Sequence, residues 1–199
     1  MKSDGSGVGI YWESFLAGDK EAFAYFYNLH ADDMYRYGTK LCNDENLVKD
    51  AIQEIFIDLY LKRQKNKSNP ENLRYYLIVA LKHYLIRKLK QNRRQVDGKG
   101  CNLEFEPEYS IEETIIGEEA ETEINERIRN MLHKLPAKQK EALYLRYNQS
   151  MEYSEIAKVL NISVESVHKQ VYRALKSIRK KFENQALVLL FFRYNKSKL

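Results

Sequence analysis

The sequence predicts an all-α protein of two small helical domains joined by a flexible acidic linker, the second domain carrying a helix-turn-helix. Three observations carry that expectation. Apolar residues recur every three or four positions almost throughout, and no segment alternates as a half-buried strand would. Glycine and proline are scarce, 8 and 3 of 199 residues, which disfavours a turn-rich β fold. Residues 95–122 break the helical pattern with Gly98, Gly100, Pro107 and many glutamates, and a loop of that length is uncommon inside one domain.

The elements follow in order. Residues 10–17 read as a short amphipathic start, closed by Gly18 and followed by Asp19, a good helix cap. Phe23, Phe26, Tyr27, His30, Met34, Tyr37 and Leu41 mark one face of a single helix or of a broken pair. After Asn43-Asp44, two stripes, Leu47-Ala51-Ile55-Leu59 and Ile52-Phe56-Tyr60, make the next helix, ending near Lys62. Pro70 suits the first turn of the following helix, which carries Leu73, Leu77, Leu81, Leu85 and Leu89 every fourth residue. Beyond the linker the pattern gives a helix at about 123–133 and another opened by Pro136 and reaching Tyr147. Shorter helices follow at about 152–160 and 164–182. The expected division is therefore 10–94, a linker at 95–122, a second domain at 123–182 and a tail at 183–199.

Charge is distributed in blocks. Seven basic residues and no acid lie between Arg74 and Arg94, ten glutamates and no Lys or Arg between Glu104 and Glu126, and thirteen basic against four acidic residues between Arg127 and Phe182. Two basic surfaces flanking an acidic belt point to two sites for an anionic partner, joined by a segment that repels it. Cys42 and Cys101 are far apart and lack metal-ligand spacing, as do the four histidines, so neither a disulfide framework nor a metal centre is expected. No apolar run follows the N-terminus, and the longest apolar stretch, Ala186 to Phe192, falls well short of the ~20 residues needed to cross a bilayer. The chain reads as cytoplasmic, with no membrane insertion.

The most informative segment runs from Met151 to Phe182. Ile156, Ala157 and Leu160 give the buried side of a helix of under three turns. Asn161-Ile162-Ser163 then forms a tight turn, with Asn able to adopt a left-handed conformation and Ser163 placed to cap the next helix. Val167, Val171, Ala174 and Ile178 make one apolar face of that helix, leaving Glu165, Ser166, Lys169, Gln170 and Arg173 to face outward. This layout fits a recognition helix in the major groove of DNA, where Gln, Lys and Arg meet base edges or phosphates.

With these residues in view the chain resembles the extracytoplasmic-function (ECF) subfamily of sigma-70 factors, the minimal type with regions two and four, over about Trp12 to Phe182. Asp50-Ala51-Ile52-Gln53-Glu54-Ile55-Phe56 is similar to the family signature D-x-x-Q-[DE]-x-F, and the resemblance implies that Asp50, Gln53, Glu54 and Phe56 meet the clamp helices of core RNA polymerase. The helix from Asn72 to Arg94 resembles the one that meets the promoter −10 element, which implies DNA roles for Arg74, Tyr76, Lys82, His83, Arg87 and Lys88. An aromatic beside cations suits unstacked bases of single-stranded DNA. Leu135-Pro136, Leu145-Arg146-Tyr147 and the helix-turn-helix resemble region four, which implies −35 contacts by Arg146, Ser163, Glu165, Ser166, Lys169, Gln170 and Arg173.

The chain also departs from the family. Tyr76 stands where members commonly have Trp, and Gln170 where many have His. Ser150-Met151-Glu152-Tyr153 replaces the usual G-[LM]-S-Y, so a glycine turn and a Ser…Glu155 capping box are expected to be missing and the second domain to be slightly less stable. The resemblance implies promoter DNA, core RNA polymerase and an anti-sigma factor as partners, with no cofactor. A stand-alone helix-turn-helix regulator with an N-terminal dimerising or sensing domain is the competing expectation. An enzyme is disfavoured by the lack of a phosphate-binding glycine loop, a metal cluster or a nucleophile–base pair at a recognised spacing.

Overall fold

The computed structural model describes residues 5–65, 73–95, 105 and 130–179, with side chains defined from 9 to 91 in the first two stretches. All the regular elements among these residues are helical. The chain divides into two compact units, residues 1–103 and 104–199. Pro70, the tail after residue 182 and all of the acidic stretch except Phe105 lie outside the described residues.

The first unit holds α1 (Gly5–Ala17), α2 (Lys20–Leu41), α3 (Glu45–Leu61), a single 3-10 turn (Arg63–Lys65) and α4 (Leu73–Gln95). Gly18 ends α1 with φ +97°, a conformation that disfavours any side chain, and its carbonyl accepts a 3.1 Å bond from the Tyr60 hydroxyl. Asp19 caps α2 as expected, its carboxylate accepting from the amides of Glu21 (2.6 Å) and Ala22 (3.1 Å). The long apolar face of α2 belongs to one unbroken helix, and Asp44 caps α3 through the amide of Leu47 at 3.0 Å.

α2, α3 and α4 pack on one another, and α1 packs on α2. Leu73, Leu77, Ile78, Leu81 and Leu85 of α4 are completely buried, the leucine stripe read from the sequence. At the other end an aromatic cluster closes the core. The Phe15 ring lies 5.9 Å from that of Phe26 and 6.3 Å from Tyr60, and Phe56 packs 4.9 Å from Tyr27. Cys42 is buried as a small apolar group. The three long helices meet closely at Gly38 of α2. A Cβ there would stand 2.6 Å from Val48 Cγ1 of α3 and 3.4 Å from Leu81 Cδ2 of α4.

The second unit contains a helical turn at 130–133, α5 (Ala137–Leu143), a π-helical turn (Tyr144–Asn148), α6 (Tyr153–Leu160) and α7 (Val164–Arg179). Pro136 is the N-cap of α5 rather than part of its first turn, and the helix expected to reach Tyr147 widens into the π turn from Tyr144. α5 and α6 both pack on α7 through Val167, Val171, Ala174 and Ile178, all buried. Phe105, within the stretch read as a linker, is buried in this unit with its ring 5.5 Å from that of Tyr144.

Two outcomes follow for the first unit. Gly38→Ala overpacks the α2–α3–α4 junction and should destabilise it by about 1–3 kcal/mol, measured by denaturant unfolding. His30, beside Asp33 and Arg74, is pulled down to about 4 by burial and by the Arg74 guanidinium, against the opposing pull of Asp33. The folded state thus takes up this proton less readily than the unfolded chain. The resulting stabilisation is complete above the unfolded value near 6.5 and is lost as pH falls through about 4, a change of at most about 3 kcal/mol. Unfolding midpoints between pH 7 and 4 should fall less steeply for His30→Gln; equal slopes would contradict this assignment.

Candidate nucleic-acid interface

A helix that buries one face offers the opposite face to partners, and the 3.6-residue repeat decides which residues those are. On α3 the buried stripe of Val48, Ala51, Ile52, Ile55 and Leu59 leaves Asp50, Gln53 and Glu54 exposed on one arc. Phe56 lies on the other side. It is only 1% exposed and wedged between Phe23 and Tyr27, so it fixes the helix from within. The outward arc continues instead to Ile57 and Leu61, 54% and 71% exposed. A consecutive motif mixes both faces of a helix, and the spacing of 50, 53, 57 and 61 would have separated them.

On α4 the leucine seam turns Tyr76, His83, Arg87 and Lys90 outward at spacings of seven, four and three. His83, Ile86, Arg87, Lys90 and Gln91 line a shallow open depression. Lys82 and Lys88 flank the arc and are half-buried. Tyr84, not singled out by the sequence, carries the Arg87 guanidinium 5.4 Å and the Lys88 ammonium 5.6 Å from its ring centre, organising two cations at once. Arg74 is engaged differently: its guanidinium bonds Asp33 of α2 at 2.8 Å and so ties α4 to α2.

The helix-turn-helix forms as expected. Asn161 adopts the left-handed conformation (φ 52°, ψ 51°) that ends α6. Ser163 caps α7, its hydroxyl accepting from the Ser166 amide at 3.2 Å and lying 2.8 Å from the Ser166 hydroxyl. These two serines are engaged with each other at the start of the helix. Glu165 pairs with Lys169 at 2.6 Å on the exposed side, with Arg173 exposed one turn further on. Gln170 is half-buried beside the apolar face, away from the centre of the outward arc. That centre holds Tyr172, 62% exposed, together with Lys169, Arg173 and Lys176. Tyr172 was missed because it reads as one more core aromatic, although its spacing from Val171 and Ala174 places it outside.

Two expectations before α6 change. The glycine turn survives without glycine, since Ser150 adopts φ 51°. The capping box also survives with a different first residue: Glu155 accepts from the Glu152 amide at 2.8 Å, and Glu152 occupies the cap position. Arg146 takes part in this brace rather than projecting toward solvent. Its guanidinium donates to the Met151 carbonyl at 2.8 Å, pairs with Glu152 at 3.2 Å and sits 4.8 Å from the centre of the Tyr153 ring.

Comparison with known proteins places both units. The family model for sigma-70 region 2 matches residues 26–95, and that for sigma-70 region 4 matches residues 125–178. The ECF RNA polymerase sigma factor SigW of Bacillus subtilis is 25% identical over 173 residues, covering 84% of this chain and 92% of the relative. SigM of the same organism is 21% identical over 154 residues, covering 77% and 90%. Among solved structures, CnrH in complex with the cytosolic domain of CnrY shares the fold at a TM-score of 0.53 and 20% identity, over 86% of this chain and 94% of that one. The sigma factor RpoE of Bartonella quintana, in complex with the anti-sigma factor NepR, does so at 0.50 and 16%, over 79% and 94%.

A left-handed serine is strained where glycine is not. Ser150→Gly should therefore stabilise the second unit by about 0.5–1 kcal/mol, part of the gain being offset by the freer unfolded chain. Thermal unfolding checks this, and a lowered midpoint would show that Ser150 is held by more than its backbone.

Proposed function

This chain belongs to the ECF subfamily of sigma-70 factors, and on that premise we propose how its two units divide the work of directing RNA polymerase to promoters. The observation that carries the reading is the pairing of two exposed basic arcs, on α4 and α7, with a third, acidic and polar arc on α3. Asp50, Gln53 and Glu54 dock on core polymerase, while Phe56 supports them from the core. Tyr76, His83 and Arg87 meet the −10 element, with Lys82 and Lys88 at the flanks and Arg74 holding the helix in place. Lys169, Tyr172 and Arg173 meet the −35 element. Gln170 contributes from the edge, and Ser163, Ser166 and Glu165 order the start of the recognition helix.

The role is non-catalytic: binding energy is spent on locating and opening the promoter, and the chemistry belongs to the polymerase. No cofactor enters this reading. Work on chromosomal promoters places the chain in the cytoplasm, and no helix among the described residues is long and apolar enough to cross a membrane. An anti-sigma factor is the natural regulatory partner. What supports it is the family and the complexes in which the structural neighbours were solved, with the cytosolic domain of CnrY and with NepR. A stand-alone regulator would have no use for a region-2 unit with an exposed acidic arc, and the match of that unit to sigma-70 region 2 favours the polymerase reading.

The test is binding to core RNA polymerase. Replacing Gln53 and Glu54 together by Ala should weaken core binding by about tenfold or more, as expected when charged or hydrogen-bonding contacts at a docking face are lost, with the unfolding midpoint unchanged. Phe56→Ala should instead destabilise the unit by about 3–5 kcal/mol, the range for a buried aromatic, and so lower its unfolding midpoint. Unchanged core affinity in the double variant would remove α3 from the docking face.

A further inference from the structure

We propose that His168 is a phosphate-contacting residue of the −35 interface, held ready by a cluster with Tyr153 and Arg146; this rests on the reading of α7 as the −35 helix. His168 is exposed on α7, yet it is not loose. Its imidazole stacks on the Tyr153 ring with centroids 3.9 Å apart and planes 24° from parallel. The same Tyr153 ring carries the Arg146 guanidinium at 4.8 Å, and Arg146 is itself fixed by the Met151 carbonyl and the Glu152 carboxylate. One line of contacts therefore runs from the π turn, through the first residue of α6, to the second turn of the recognition helix.

The position of His168 on the helix selects its ligand. Lys169, Tyr172, Arg173 and Lys176 lie opposite the buried face, whereas His168 lies at the margin of that arc, on the side of α6. When a helix lies in the major groove, residues at its centre reach base edges and those at its margin meet the groove wall, where the phosphates run. Stacking covers one π face of the imidazole and leaves its ring edge open, so that its N–H can donate to a phosphate oxygen. The carboxylates of Glu165 and Glu152 are held by other cations, Glu165 by Lys169 at 2.6 Å and Glu152 by Arg146 at 3.2 Å. A stacked side chain has already lost most of its rotamer freedom, so its contact with DNA carries little further ordering entropy. Arg146 and Tyr153 act through His168 as positioning residues.

The decisive variant is His168→Phe, which keeps a ring on Tyr153 and removes both nitrogens. In the complex of the full chain with core polymerase, it should bind a two-element promoter about tenfold more weakly, the loss expected for one hydrogen bond to a charged group. The loss should be alike for every −35 sequence in a library, and thermal unfolding of the free protein should not change. Tyr153→Leu removes the stack and should produce a similar loss, while Tyr153→Phe keeps wild-type binding. His168→Phe combined with Tyr153→Leu should be no weaker than either alone, because both remove one contact. Wild-type affinity in His168→Phe, a loss confined to particular −35 sequences, or additive losses in the double variant would each overturn the proposal. Lys169→Ala with Arg173→Ala tests the underlying reading separately. If that pair leaves promoter binding intact, α7 is not the −35 helix and the functional reading falls with it.

Discussion

The leucine seam of α4 is the constraint on which the first unit depends. Leu73, Leu77, Leu81 and Leu85 are wholly buried between α2 and α3, and Gly38 lets the three helices approach closely enough to cover them. With that face fixed, the helical repeat leaves no choice about what faces out, and Tyr76, His83, Arg87 and Lys90 follow. Burying each leucine stabilises by roughly 1.5–3 kcal/mol, whereas an exposed cation contributes far less to stability. The basic arc is therefore free to be chosen for binding, and no acid between Arg74 and Arg94 weakens it. Asp33 of α2 engages Arg74, and burial together with the Arg74 guanidinium keeps His30 neutral against the opposing pull of Asp33.

The second unit meets the same problem with less material. Its helices are short, so more of its orientation comes from polar bracing at their ends. Asn161 and Ser150 adopt left-handed conformations on either side of α6, and Glu155, Ser163 and Arg146 satisfy backbone groups there. The apolar stripe of α7 then anchors on α5 and α6, which aims Lys169, Tyr172 and Arg173 outward. The turn that contains the left-handed Ser150 also places the Met151 carbonyl for Arg146.

The fold was legible in the sequence wherever one helix face is apolar. The stripes of α3, α4 and α7, the caps at Asp19 and Ser163 and the left-handed Asn161 all follow from spacing and local chemistry. The site was legible by region and less so by residue. Phe56 shares a motif with Gln53 and Glu54 but projects from the opposite side of the helix. Arg146 has the composition of a surface cation, and only the turn it braces, distant in pattern though near in sequence, shows otherwise. Glu152 was not expected to stand in for a short capping side chain, because its longer chain must fold back to do so. Tyr172 was passed over because an aromatic residue inside a periodic segment reads first as core, and His168 because a histidine without ligand spacing carries no signal of its own.

On the proposed reading, the polymerase finds its promoter through outward arcs fixed by the buried faces of α4 and α7. Run-off transcription with purified core polymerase and a randomised promoter library tests it most directly. The claim predicts that transcripts arise only when this chain is supplied, and that the selected templates share two separated elements. Reversing charge on the α4 arc should then alter the selection at the −10 element alone, and on the α7 arc at the −35 element alone. Transcripts that do not require the chain, or a selection that both reversals disturb at the same element, would contradict it.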